Sequence, residues 1–214
     1  MQGRIRQRIS AASGLSDYPR APCKTGSIRM RIAVIGTSGV GKSTLAKRLA
    51  ASTQAAYIEL DAINWQADWK ALATDDPAEF HRRVQAAVAG ASWVCDGNYP
   101  GVRDVVLARA THVVWLDYAR PVIMWRVIRR SFWRAVTKAE LWPGTGNTEA
   151  FAAWLDKGHP IRWAWDTFTQ RREQYARLLE APVLATAQKY RVARPQDLAA
   201  IESALEQQRD GART

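Results

Sequence analysis

The chain has 214 residues, 47% hydrophobic and 24% charged, a length and balance that suit one α/β domain with a sizeable core. No stretch approaches the ~18–20 apolar residues of a membrane span, and nothing resembles a secretory h-region. Cys23 and Cys95, with three histidines, offer neither a disulfide framework nor a zinc spacing, so a reducing cytoplasm is the expected setting.

The net charge of +11 is uneven, because Arg4, Arg6, Arg8, Arg20, Lys24 and Arg29 against Asp17 place +5 of it in residues 1–29. The modest remainder is what a binder of phosphorylated substrates carries, and it gives little support for DNA binding. Residues 1–29 mix Arg, Ser, Gly and Pro without apolar periodicity and read as a disordered basic extension. It reads as a dispensable tail rather than a transit peptide, since Met30 sits directly before the first apolar run as a candidate start. A single folded domain is expected over 30–214.

Arg31–Ile35 is a continuous apolar run, as in a parallel strand buried on both faces. A glycine-rich loop follows, then a helix from about Lys42 to Ala51 with Leu45 and Leu49 on its inner face. Ala56–Leu60 reads as a second strand ending in Asp61. Asp75, Asp76, Pro77 and Glu79 open a helix with the apolar stripe Phe80, Val84 and Val88, ended by Gly90. Trp93–Cys95 and His112–Leu116 are further strands, ending in Asp96 and Asp117. Pro121–Val136 is a helix rich in Arg and Trp, whose Val122, Trp125 and Ile128 are expected to face the sheet. Trp142–Asn147 is a loop, Ile161–Leu179 a long helix, Lys189–Ala193 a fifth strand and Pro195–Leu205 a closing helix. This alternation predicts a doubly wound, five-stranded parallel α/β sheet, with a helical lid over roughly 126–160.

The segment Gly36, Thr37, Ser38, Gly39, Val40, Gly41, Lys42, Ser43, Thr44 matches the phosphate-binding pattern G-x-x-x-x-G-K-[ST] without a gap. Its glycines let backbone N–H groups turn inward around an anion, Lys42 brings a charge to the β/γ-phosphates, and the Ser43 hydroxyl can ligate Mg²⁺. A buried strand before it and an amphipathic helix behind it, with its positive dipole end, are the context such a loop needs. ATP and Mg²⁺ are the expected ligands. A carboxylate at a neighbouring strand end is expected to serve the metal. Asp96 and Asp117 both stand there, and Asp96 is preferred because Gly97 behind it permits close backbone approach. Neither strand ends in Asp-Glu and no Asn-Lys-x-Asp element occurs, which disfavours mechanical ATPases and signalling GTPases.

Phosphoryl transfer needs cations over the γ-phosphate more than covalent chemistry. Arg126, Arg130 and Arg134 recur every four residues on one helix face. Arg126 and Arg130 are read as transfer residues, with Arg129 and Arg134 as electrostatic support. Asp61 is the candidate to orient or deprotonate an acceptor hydroxyl. Trp65 stands as a wall for that acceptor and Trp69 reads as packing. Asn98 and Tyr99 suit either acceptor contacts or a turn, and Cys95 suits packing. A small-molecule phosphotransferase is the expected function. The alternative is a regulatory or nucleic-acid-associated P-loop ATPase, supported by the basic tail and the four-arginine helix.

From Met30 onward the chain resembles the adenylate-kinase-like P-loop proteins described as DNA topology modulation protein-like. The resemblance is carried by Met30-Arg-Ile-Ala-Val-Ile-Gly36, the loop to Thr44, Leu60-Asp61 with Trp65, Trp93-Val-Cys-Asp-Gly-Asn-Tyr99, Val114-Trp-Leu-Asp117, and Arg126 with Arg129 and Arg130. Gly146-Asn147 with Glu149, and His159-Pro-Ile-Arg-Trp-Ala-Trp165, resemble the lid and long-helix segments. It implies a nucleoside-monophosphate-kinase-like fold and ATP as donor. It leaves the acceptor open, because Asp96-Gly-Asn-Tyr-Pro100 replaces the Asp-Gly-Phe-Pro-Arg of true adenylate kinases and their Gly-Asp-x-Leu-Arg element is absent.

Overall fold

Short apolar runs alternating with amphipathic stretches give five strands: β1 (Arg31–Gly36), β2 (Ala56–Glu59), β3 (Trp93–Asp96), β4 (His112–Leu116) and β5 (Gln188–Val192). The computed structural model describes residues 29–211, apart from 139, 150, 152, 153, 155 and 157. The basic extension therefore lies outside the described residues except for Arg29. All strand pairs are parallel, in the order β2-β3-β1-β4-β5, with Val34 opposite both Asp96 and Val114. The first strand thus sits in the middle of the sheet and carries the phosphate loop at its carboxyl end. This is a doubly wound α/β arrangement.

Alternate β1 side chains feed two cores. Ile32 and Val34 pack with Leu45 and Leu49 of α1 (Lys42–Thr53), Val127 of α6 (Arg120–Thr137) and Leu205 of α8 (Leu198–Gly211). Ala33 and Ile35 pack with Phe80 and Val84 of α4 (Pro77–Ala87), Val106 of α5 (Arg103–Leu107) and Tyr175 of α7 (Pro160–Leu179). Asp76 caps α4 by accepting from the Glu79 amide at 3.0 Å, and Pro77 occupies its first turn. Among the described residues no helix is long and apolar enough to cross a membrane.

Three details depart from expectation. The second strand stops at Glu59, and Asp61 lies in the first turn of a short helix, α2 (Leu60–Asn64), rather than at a strand end. The helix expected to open at Asp75–Glu79 is present as α4, but a short helix that was not expected, α3 (Leu72–Asp75), precedes it, and Pro77 keeps the two apart by breaking the backbone ladder at Asp76. The inner face of α6 is Ile123, Val127, Ser131 and Ala135, while Trp125 is 68% exposed and Ile128 faces outward with it. The cause lies in the phosphate loop. Gly39, at φ +80°, lets Val127 approach so closely that a Cβ there would stand 2.7 Å from the Val127 Cβ. That contact fixes the rotation of the helix about its axis.

Candidate active site

The loop between β1 and α1 opens at the carboxyl edge of the sheet, where the first turn of α1 adds its free N–H groups. Lys42 folds back over it and donates from Nζ to the Thr37 carbonyl at 3.3 Å. Beside the loop, Asp96 ends β3 with its carboxylate buried. One oxygen, Oδ2, accepts from the Tyr57 hydroxyl at 3.3 Å, while Oδ1 is buried with no hydrogen-bond partner. Burial raises the Asp96 pKa, opposed by the Lys42 charge and a hydrogen bond from Ser43. An orphaned carboxylate oxygen next to a serine hydroxyl is a hard-oxygen pair that fits Mg²⁺ arriving with a nucleotide. Among the described residues no group of three or more His, Cys, Asp or Glu could hold a metal alone.

Asp117, the other strand-end carboxylate, is fully engaged. Arg172 donates to its two oxygens at 2.8 and 3.1 Å, and Arg191 donates to Oδ2 at 2.5 and 2.9 Å. It ties β4, β5 and α7 together and has no oxygen free for a metal.

A cavity of about 370 Å³ opens between the loop, the β3 end and α7. Gly36, Thr37, Ser38 and Lys42 line one side of it, and Asp61, Trp65, Asn98, Tyr99 and Pro100 another. Asp61 Oδ1 accepts from the Tyr99 hydroxyl at 2.6 Å. Burial, then the Asp61 charge, pushes the Tyr99 pKa up, so the phenol stays a donor. Gly97, at φ +118°, turns the chain between Asp96 and Asn98, and a Cβ there would sit 3.0 Å from Leu60 Cβ.

The third wall is a stripe of α7, with Trp163, Thr167, Arg171 and Tyr175 at intervals of four. The Tyr175 hydroxyl donates to the Gly36 carbonyl at 3.2 Å, pinning the stripe to the loop. The Arg171 guanidinium lies over the Trp163 ring at 5.3 Å. Sequence reasoning missed these residues, although a polar series at helical spacing was there to find.

Arg126 and Arg130 do not line this cavity. Arg126 donates from Nη1 to the Val40 carbonyl at 2.8 Å and stacks on Tyr118 at 5.0 Å, bracing the loop from outside. Arg130 is half-buried, with its Nε buried and unpaired among the described residues. Burial lowers its pKa to about 10, with the Arg134 charge adding to the effect and Glu149 and Asp61 opposing it. Arg134 lies 3.8 Å from Glu149, which accepts from His159 Nε2 at 2.9 Å. His159 in turn caps α7 by accepting from the Ile161 amide at 3.3 Å. Nearby, Asn147 accepts from the Trp69 amide and donates to the Gln66 carbonyl, and Trp142 stacks on Trp65 at 6.0 Å. Asn147 and Trp142, between α6 and α7, are thus docked against Gln66, Trp69 and the cavity-lining Trp65.

No family model matches the chain, and no curated protein matches it. Its fold is similar to that of several solved structures. A gluconokinase from Sinorhizobium meliloti 1021 is 18% identical over 86% of this chain and 96% of its own, with a TM-score of 0.48. A shikimate kinase from Acinetobacter baumannii in complex with shikimate is 13% identical over 86% and 93%, with a TM-score of 0.49. A sugar kinase from Janibacter sp. HTCC2649 is 18% identical over 84% and 91%, with a TM-score of 0.42.

Proposed function

We propose that this chain is an ATP-dependent phosphotransferase acting on a small hydroxyl compound. The observation that carries it is the shared cavity: the phosphate loop with Lys42 and a carboxylate, Asp61, face the same enclosed space. A P-loop ATPase has no use for a second, aromatic-walled compartment beside its γ-phosphate position. The loop amides and Lys42 hold the donor phosphates, and Arg171 supplies a second positive charge to the transferring group. Arg126 keeps the loop in shape through Val40, and Arg130, half-buried near Asp61, sets the potential there. Ser43 and Asp96 are the residues to hold Mg²⁺, which when bound neutralises charge developing on the phosphate oxygens. Asp61, aligned by Tyr99, orients the acceptor hydroxyl and takes its proton. The lid expected over 126–160 is confined to the connection after α6, whose helix packs in the core, and that connection excludes water.

Replacing Lys42 by Ala or Met is expected to lower acceptor-dependent ATP consumption at least about 100-fold in a coupled ADP assay. An undiminished rate in either variant would remove the assignment.

A further inference from the structure

Helix α6 is apolar on two faces. Its inner stripe, Ile123, Val127, Ser131 and Ala135, is buried, and Val127 meets Gly39 of the phosphate loop. The outer stripe is Trp125, Ile128, Phe132, Trp133 and Val136, each between 40% and 68% exposed. On a helical wheel these five fall within an arc of about 140°, and they run about 16 Å along the axis. The Phe132 ring meets that of Trp133 at 6.1 Å and that of Phe151 at 6.0 Å. Phe151 is itself exposed, so the apolar surface continues past the helix. A surface helix normally turns charged and polar side chains to water on the face away from its core. A contiguous apolar face in that position marks a surface that another molecule covers.

Area and chemistry select the occupant. Covering the outer stripe removes roughly 600 Å² of side-chain surface from water on one chain. Phe151 and the flanking polar residues bring this to roughly 700–800 Å², so two such faces in contact bury about 1,400–1,600 Å², the size of a specific protein–protein interface. Of the six exposed residues from Trp125 to Val136, five are apolar and one, Arg129, is charged. Interface centres have this composition, enriched in Trp, Phe and Arg. An anionic partner would call for a row of cations here rather than one among five apolar side chains.

The face is also complementary to itself. Arg129 lies one turn from Trp125 and one turn from Trp133. It therefore carries both halves of a cation–π pair, a guanidinium and an indole, and an inverted copy sets one on the other twice. The chain uses the same pairing internally, with Arg171 over Trp163 at 5.3 Å, Arg120 over Trp165 at 5.1 Å and Arg191 over Trp115 at 4.6 Å. From these features we propose that the outer face of α6 is a self-association surface, on which a second copy of this chain docks through a two-fold contact of the α6 helices. The phosphate loop touches the opposite face of the helix, so pairing does not cover it. The proposal is independent of the phosphotransferase reading.

The test is analytical ultracentrifugation of the full chain over a concentration series. The expected result is a monomer–dimer equilibrium that is mostly dimer at about 50 µM. Replacing both tryptophans, Trp125→Ser with Trp133→Ser, removes two anchors from exposed positions and is expected to weaken pairing at least about 100-fold, with the far-UV circular dichroism unchanged. Arg129→Glu keeps the indoles and removes the cation, and is expected to weaken pairing about tenfold. A chain that stays monomeric at about 100 µM overturns the proposal, whether it remains free or floats with phosphatidylserine vesicles. A dimer whose affinity is the same in both variants as in the unaltered chain overturns it too, because its contact would lie elsewhere.

Discussion

Asp96 and Asp117 stand at the ends of the two strands that flank β1, and their neighbours decide what each does. Asp117 is neutralised by Arg172 and Arg191, which come from positions 55 and 74 residues away. Asp96 has a lysine and a serine beside it and one buried oxygen without a partner, a state that costs stability unless something else coordinates it. Asp96→Asn is therefore expected to fold normally while raising the Mg²⁺ concentration needed for half-maximal ATP turnover about 10–100-fold. A metal titration at saturating nucleotide checks this, and an unchanged Mg²⁺ requirement would assign the metal elsewhere. In the amino-acid order both residues look alike, a carboxylate after an apolar run. What separates them is the long-range approach of two arginines that local pattern does not encode. The glycine-rich loop, by contrast, lies between β1 and α1 where the pattern placed it, because its signal is contained in nine consecutive residues.

Helix α6 shows how an element's extent can be readable while its orientation is not. The span expected from the sequence differs from the observed Arg120–Thr137 by one residue at each end. Its largest apolar side chains are outside, with Trp125 at 68% and Trp133 at 57% exposure, and its inner stripe includes the small Ser131 and Ala135. The usual rule that bulk marks the core is thereby reversed, because a glycine in the partner loop admits the helix backbone more closely than a large side chain would allow. Gly39→Ala tests that contact. A non-glycine residue at φ +80° costs about 1–2 kcal/mol, and the overlap with Val127 adds about 1–3 kcal/mol. Thermal unfolding is expected to shift down by several degrees and ATP binding by calorimetry to weaken together. Loss of stability with unchanged ATP affinity would mean that α6 does not govern the loop. The same holds for α7. Its length was legible, but the cavity-facing series Trp163, Thr167, Arg171 and Tyr175 gains meaning only once Tyr175 is seen to touch Gly36.

At the scale of the molecule, the sheet is closed on one side by the Asp117 cluster, which joins β4, the edge strand β5 and α7 in a single contact. Asp117→Ala is expected to lower the urea midpoint by an amount corresponding to about 1–3 kcal/mol. The loss is limited because Arg172 and Arg191 stay about half exposed, at 49% and 52%, and water takes over part of their solvation. Acceptor-dependent turnover of the folded variant should stay within a few-fold of normal, since the cluster stands apart from the cavity. A loss of turnover without a loss of stability would contradict this division of labour. The strand order carries a further consequence, for synthesis. β1 leaves the ribosome first, yet its two neighbours are β3 and β4, and Ile32 must find both Val94 and His112. This strand, apolar on both faces, therefore waits without a strand partner until β3 is made, over roughly a third of the described chain. The nascent protein is most exposed to aggregation in that interval, and a chaperone that shields the first apolar run until β3 appears would raise its yield.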